Sequence, residues 1–182
     1  MVEWLRELAK INYMPKLFAC YVGGRNPINT PKCNIELHDV IFAVGNEITD
    51  CYDQIKSKWF GSPERLHLDC YLELESIDGY EIKIGKSEND LKLYFTNCGG
   101  YSENYFGEIH KINFVVAKSL GEAIKLVKNQ ASKEYFDEHS LAHFDDKFDV
   151  DDCFQIPLEL QIAPSQDAKL LKPIILGYHR IN

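Results

Sequence analysis

The chain has 182 residues, 45% apolar and 26% charged, with a formal net charge of −8. That mixture excludes disorder, and the acidic balance, with no stretch interleaving Lys or Arg with aromatics, argues against a nucleic-acid partner. No apolar run approaches the roughly 18 residues that span a bilayer, the charged N-terminus lacks a signal-peptide core, and six cysteines without CxxC or dense disulfide spacing point to the reducing cytoplasm.

Residues 1–13 read either as a short amphipathic helix carrying Trp4, Leu5 and Leu8 on one side, or as an extension upstream of a second start at Met14. Leu17–Val22 is an apolar run that suits a buried strand, and Gly23-Gly24 after it reads as a turn needing positive φ. A polar loop follows, and then Val40–Val44, apolar on both faces and expected as a central strand. Ile48, Cys51, Tyr52, Ile55 and Trp59 have helical spacing, with Asn46 as the expected N-cap. Gly61 and Pro63 are expected to end that helix.

Leu66–Glu75 alternates. Leu66, Leu68, Cys70, Leu72 and Leu74 are expected on one face, and His67, Asp69, Tyr71, Glu73 and Glu75 on the other. Asp78-Gly79 reads as a tight hairpin turn into Tyr80–Ile84.

The second half echoes the first. KLFACYVGG (Lys16–Gly24) returns as KLYFTNCGG (Lys92–Gly100), and ELHDVIFAVG (Glu36–Gly45) as EIHKINFVVA (Glu108–Ala117). The helical positions recur as Leu120, Ala123, Ile124, Val127 and Ala131, behind a Ser119/Glu122 capping box. After that helix two registers compete. One matches His67-Leu68-Asp69 to His143-Phe144-Asp145; the other matches Asp69-Cys70-Tyr71 to Asp152-Cys153-Phe154, and an insertion between His143 and Asp152 reconciles them in part. Alternation resumes over Phe154, Ile156, Leu158, Leu160 and Ile162, and Gly177-Tyr178 answers Gly79-Tyr80.

A repeat of this length predicts an α+β protein of tandem duplicated ββαββ-like units with approximate internal two-fold symmetry, helices packed on largely antiparallel sheets. The expected division is an N-terminal extension (1–15), a first repeat (16–90) and a second repeat (91–182), packed as one body because each copy is marginal for a core of its own.

The ordered set KLF…GG at Lys16–Gly24, ELHD at Glu36–Asp39, WFGSPERLHLD at Trp59–Asp69 and DVDDC at Asp149–Cys153 resembles an uncharacterised bacterial family, a domain of unknown function present in one or two copies per chain. The resemblance covers residues 16–156 and implies bacterial origin and the two-copy architecture. It implies no substrate. Chains of that family begin near KLF, which supports Met14 as the start.

Core positions vary between the copies, whereas Glu36 and His38 return unchanged as Glu108 and His110. Glu36, His38, Asp39, His67 and Asp69, with Glu108, His110, His143 and Asp145 in the second copy, are therefore the candidate ligand or metal residues. Imidazole and carboxylate two apart on a strand share a face, an arrangement suited to a divalent metal or to acid/base chemistry. A structural reading competes: half-buried polar groups are retained because each needs a hydrogen-bond partner.

Other signals are thinner. His139 and His143 have i,i+4 spacing but lack the Glu of HExxH, and Gly23-Gly24 with Arg25 falls short of a phosphate loop. Cys33 and Cys98 are the cysteines expected to be exposed, with no activating base beside them. The acidic run Asp145–Asp152 lacks the glycine and terminal Glu of an EF-hand.

The expectation is a cytoplasmic module binding a small molecule or a protein at a cleft between the copies. The alternative is a metal-dependent or acid/base enzyme, and a homo-oligomer paired through sheet edges is a third reading. No motif requires a cofactor, and a divalent metal is compatible with the His/Asp sets.

Overall fold

The computed structural model describes residues 14–27, 30–31, 33–101, 104–134, 148–166 and 173–181. In chain order they form β1 (Lys16–Gly24), β2 (Leu37–Gly45), a 3₁₀ turn (Ile48–Cys51) running into α1 (Tyr52–Lys58), β3 (His67–Glu73), β4 (Ser76–Ile77), β5 (Tyr80–Ile84), β6 (Lys92–Tyr101), β7 (Glu108–Ala117), α2 (Leu120–Glu134), β8 (Phe148–Gln155), β9 (Leu160–Pro164) and β10 (Ile175–Arg180). The protein is α+β, its paired strands mostly antiparallel and its helices few. Among the described residues no helix is long and apolar enough to cross a membrane. The proposed helix over residues 1–13, and His139 and His143, lie outside the described residues.

The chain packs as two compact units. The first takes in the described parts of Met1–Ser76, Ile82–Ile84 and Lys169–Asn182; the second takes in Ile77–Glu81 and the described parts of Gly85–Ala168.

In the first unit β1 is an inner strand of the sheet β10-β3-β1-β2. Its apolar run is buried on both faces, which is why the alternation expected of a half-exposed strand is missing. β2 is equally apolar yet lies at the end of that order. An apolar run reports covered faces; it does not report a neighbour along each edge. Phe18, Cys20 and Val22 pack with Ile41 and Ala43 beneath Cys51, Ile55 and Trp59, whose i,i+4 spacing puts them on one helical face. Burial pushes the Cys51 thiol up to about 11 and drives Cys20 higher still, so both act as small hydrophobes.

Three local expectations shift. The helix is capped at Glu47 rather than Asn46, because Asp50 reaches back to accept from the Asn46 and Glu47 N–H groups at 3.0 and 3.1 Å. Those two bonds hold the Asp50 carboxyl below its ordinary value. The helix stops because Trp59 turns extended, before Gly61 is reached. Gly61 serves close packing instead: a Cβ there would come within 2.5 Å of the Arg25 carbonyl and 2.6 Å of the Trp59 ring.

The third shift concerns Gly23-Gly24. Both glycines are strand residues, opposite His38 and Leu37, and neither has positive φ. A Cβ on Gly23 would meet His67 Nε2 at 2.8 Å, and one on Gly24 would meet the Trp59 ring at 2.9 Å. They are glycines because side chains lie across them.

The alternation of Leu66–Glu75 is broken by a β-bulge. Tyr21 pairs with Cys70 but Val22 pairs with Leu68, so Asp69 is the extra residue. Beyond the bulge the faces exchange, and Tyr71, not Cys70, joins Leu66 and Leu68 against the helix-side core.

In the second unit β6 lies between β7 and β8. Tyr94, Cys98, Val115 and Ala117 pack against Ala123 and Val127 of α2. Ser119 Oγ accepts from Glu122 N–H at 3.3 Å, and the Glu122 carboxylate reaches Lys118 N–H at 2.8 Å, a capping box displaced by one residue. Asp78 (φ 50°) and Gly79 (φ 82°) form the expected tight turn, since type I′ geometry needs positive φ at both positions.

β8 corrects one of the two sequence registers. Gly99 pairs with Asp149, and a bulge between Asn97 and Cys98 leaves Asp151 as the extra residue. The alignment of Asp69 with Asp152 is thus one residue out of step, and His143 and Asp145 lie outside the described residues. The alternation from Phe154 to Ile162 divides into the end of β8 and a separate β9. Gly177-Tyr178 does not echo a hairpin; it lies in β10, paired with β3.

Replacing the fully buried Ile55 by Ala removes the anchor of the short α1 and should cost about 2–5 kcal/mol, read as a fall in the denaturant midpoint. Cys98 is buried and Cys33 exposed, so a thiol reagent should titrate Cys33 in the folded protein and reach Cys20, Cys51 and Cys98 only on denaturation. Fast modification of those three under native conditions would contradict the packing.

Candidate functional site

Strand pairing in the first unit builds the site. Gly23 faces His38 across one edge of β1 and His67 across the other, so two imidazoles flank a strand position that carries no side chain. Glu36 sits two residues before His38, and Asp69 is the bulged residue two after His67. Bulges re-aim side chains, and here the result is convergence. His38 Nε2 lies 3.1 Å from Asp69 Oδ2 and 4.0 Å from Glu36 Oε2, while His67 Nε2 lies 3.3 Å from Asp69 Oδ1 and 3.8 Å from Glu36 Oε2.

His67 is the buried member, with 3% of its side chain exposed against 32% for His38. Its Nδ1 is 2.7 Å from the Arg65 carbonyl. A carbonyl only accepts, so Nδ1 carries the proton, and Nε2 is the nitrogen presented to the two carboxylates. Arg65 holds φ at 62°, a backbone conformation that costs a non-glycine residue energy. Each imidazole is also held against a phenol: His38 stacks on Tyr21 with centroids 5.3 Å apart, and His67 meets Tyr178 at 4.2 Å. Burial, reinforced by the Asp69 charge, raises the Tyr21 hydroxyl above its ordinary value.

Asp69 Oδ2 is buried and has no hydrogen-bond partner. Its 3.1 Å approach to His38 Nε2 is close but lacks hydrogen-bond alignment. As the side chains stand, no three His, Cys, Asp or Glu among the described residues are already disposed to hold a metal ion.

Glu36 also lines an open, mostly polar cleft of about 470 Å³, walled by Gly24–Pro27, Cys33–Ile35, Ser62 and Glu64. That volume lies within the range of small-molecule sites.

The second unit has a reduced version of the cluster. His110 Nε2 is 3.6 Å from Glu108 Oε2, and its Nδ1 is 3.3 Å from Asp151 Oδ2 and 3.2 Å from Asn97 Nδ2. Asn97 Oδ1 is the other buried side-chain oxygen among the described residues without a hydrogen-bond partner. A Cβ on Gly99 would come within 2.5 Å of both Asp151 Oδ2 and Glu108 Oε1. Gly99 pairs with His110 across one edge of β6 and with Asp149 across the other, so no second imidazole occupies that pairing position. The Glu108 charge raises the Tyr101 hydroxyl.

Of the sequence candidates, Glu36, His38, His67 and Asp69 come together in the first unit, and Glu108 with His110 in the second. Asp39 does not join them: it alternates to the other face of β2, where its Oδ1 accepts from Val40 N–H at 2.7 Å. Sequence reasoning missed Gly23, Tyr21, Tyr178 and Asp151. Gly23 and Gly99 do carry a signal, a glycine doublet ending an apolar run, but the same doublet is equally the mark of a turn.

No curated protein matches the chain. A solved structure, that of the protein Il1583 from Idiomarina loihiensis, is similar at 30% identity, covering 92% of this chain and 98% of that one with a TM-score of 0.68. The family model described as Domain of Unknown Function (DUF1543) matches residues 33–84, the span from the cleft loop through β2, α1 and β3 that holds Glu36, His38, His67 and Asp69. The chain belongs to the DUF1543 family.

Proposed function

We propose that the protein is a cytoplasmic small-ligand-binding module made by tandem duplication of a β-strand and helix unit, and that the working site is the imidazole–carboxylate cluster of the first unit with its adjoining cleft. The observation that carries the reading is the position of Glu36. Its Oε2 lies 3.8 Å from His67 Nε2, and the same residue lines the cleft, so a ligand seated there meets the cluster directly.

Duplication is supported by matched detail. In each unit the inner strand is flanked by antiparallel partners, meets a bulged aspartate on one of them, and places a glycine across from a histidine. Six free thiols support a reducing compartment. The ligand class follows from charge. Glu36 and Glu64 outweigh Arg25 in the lining of the cleft, in a chain with net charge −8, which favours a small polar cation over an anion, with Asn26, Asn34 and Ser62 available for hydrogen bonds. A second reading, acid/base catalysis, draws on the defined tautomer of His67 beside Asp69.

Thermal melts with diamines and amino-acid esters test the binding reading. A cationic ligand at ten times its Kd should raise the melting temperature by about 3–6 °C. Glu36→Gln should abolish that shift while leaving the ligand-free melting temperature within about 1 °C, because the residue is partly exposed. Stabilisation by anions alone, or an undiminished shift in Glu36→Gln, would contradict it. Gly23→Ala should both destabilise the fold by about 1–3 kcal/mol and remove ligand binding, since the new methyl occupies the space of His67 Nε2. A Gly23→Ala protein with unaltered binding would show that the cluster is not the site.

A further inference from the structure

Building on the site just proposed, we infer that its ligand class includes a divalent transition metal of zinc's preferences, held by His38 Nε2, His67 Nε2 and Asp69, with Glu36 as the fourth donor on the cleft side. Four observations carry this. First, the donors are the right kind: two imidazoles and two carboxylates form a mixed nitrogen and oxygen set suited to zinc and unlike the all-oxygen sets of magnesium or calcium. Second, their spacing fits. Zinc bonds of about 2.0–2.1 Å place tetrahedral donors about 3.3–3.4 Å apart; the two imidazoles lie 3.1 and 3.3 Å from the two oxygens of Asp69, near that separation, while Glu36 stands farther off at 3.8 and 4.0 Å.

Third, His67 is already fixed as a ligating histidine is. Its far nitrogen donates to a backbone carbonyl at 2.7 Å, which sets the tautomer and leaves Nε2 to face the cluster. Fourth, Asp69 Oδ2 is buried, lacks a hydrogen bond and yet lies 3.1 Å from His38 Nε2. A cation between them would satisfy an oxygen that the protein leaves unserved. No three of the donors surround one point as the side chains stand, so binding draws in the partly exposed His38 and, above all, Glu36. Its side chain is 44% exposed, and its two contacts to imidazole are the longer ones, so a rotation toward the histidines completes the set. Only glycine at position 23 permits the donors to lie this low over β1.

The test is calorimetric titration of the full, chelator-treated chain with zinc sulfate and with magnesium chloride at pH 7.5. Micromolar or tighter zinc binding is expected, weakened at least 100-fold in His67→Ala and in Asp69→Asn, retained in His110→Ala, and not matched by magnesium. His67 is buried, so the partly exposed His38→Gln serves as the variant that keeps the fold; it too should lose at least 100-fold. Ring-nitrogen NMR should show the Nε2 resonances of His38 and His67, and not that of His110, moving on zinc addition. No zinc binding by the wild-type chain, or zinc affinity unchanged in His38→Gln, overturns the inference. Diamine stabilisation in chelator-treated protein is read separately: if it persists while zinc fails, the metal assignment falls and the cleft stands, and if it fails while zinc binds, the reverse holds.

Discussion

The His67 ring lies 2.8 Å from the place a Cβ would take on Gly23, and the first unit is arranged around that close approach. An inner strand ordinarily presents a side chain on each face at every second residue. By omitting one at position 23, β1 creates a floor onto which His67 and Asp69 descend from one neighbouring strand while His38 approaches from the other. The same omission recurs at Gly99, where Asp151 and Glu108 crowd the glycine. Any larger residue would need those polar groups to lift into solvent.

The bulge at Asp69 is the second half of the arrangement. Without it, His67 and Asp69 would follow plain alternation, and the next residues would keep Cys70 turned toward the helix. The extra residue turns the carboxylate to touch both imidazoles and brings Tyr71 into the core. Packing and site are therefore coupled. The residue that spoils strand regularity is the one that bridges the histidines, and its buried unpartnered oxygen marks where the fold gives up local satisfaction. The strained Arg65 backbone, whose carbonyl fixes the His67 tautomer, belongs to the same pattern.

The two units differ where chemistry would differ. The first places His67 opposite its strand glycine, and the second places Asp149 there. The first thus assembles two imidazoles and two carboxylates, whereas among the described residues the second gathers one half-exposed imidazole, His110, with Glu108, Asp151 and the amide of Asn97.

Much was legible from sequence because it depends on neighbours along the chain. The strand cores Leu17–Val22 and Val40–Val44, the i,i+4 helical faces of α1 and α2, the Asp78-Gly79 turn and the placing of Glu36 with His38 on one face all follow from local periodicity and backbone preference. The meeting of His38, His67, Glu36 and Asp69 depends on which strands lie side by side, and pairing between segments tens of residues apart leaves no local trace. The bulges, the glycines' role as floor rather than turn, the register of β8 and the docking of the C-terminal strand beside β3 were settled by tertiary structure for the same reason. Each is a matter of space between non-adjacent residues, and a one-dimensional pattern carries no record of that space.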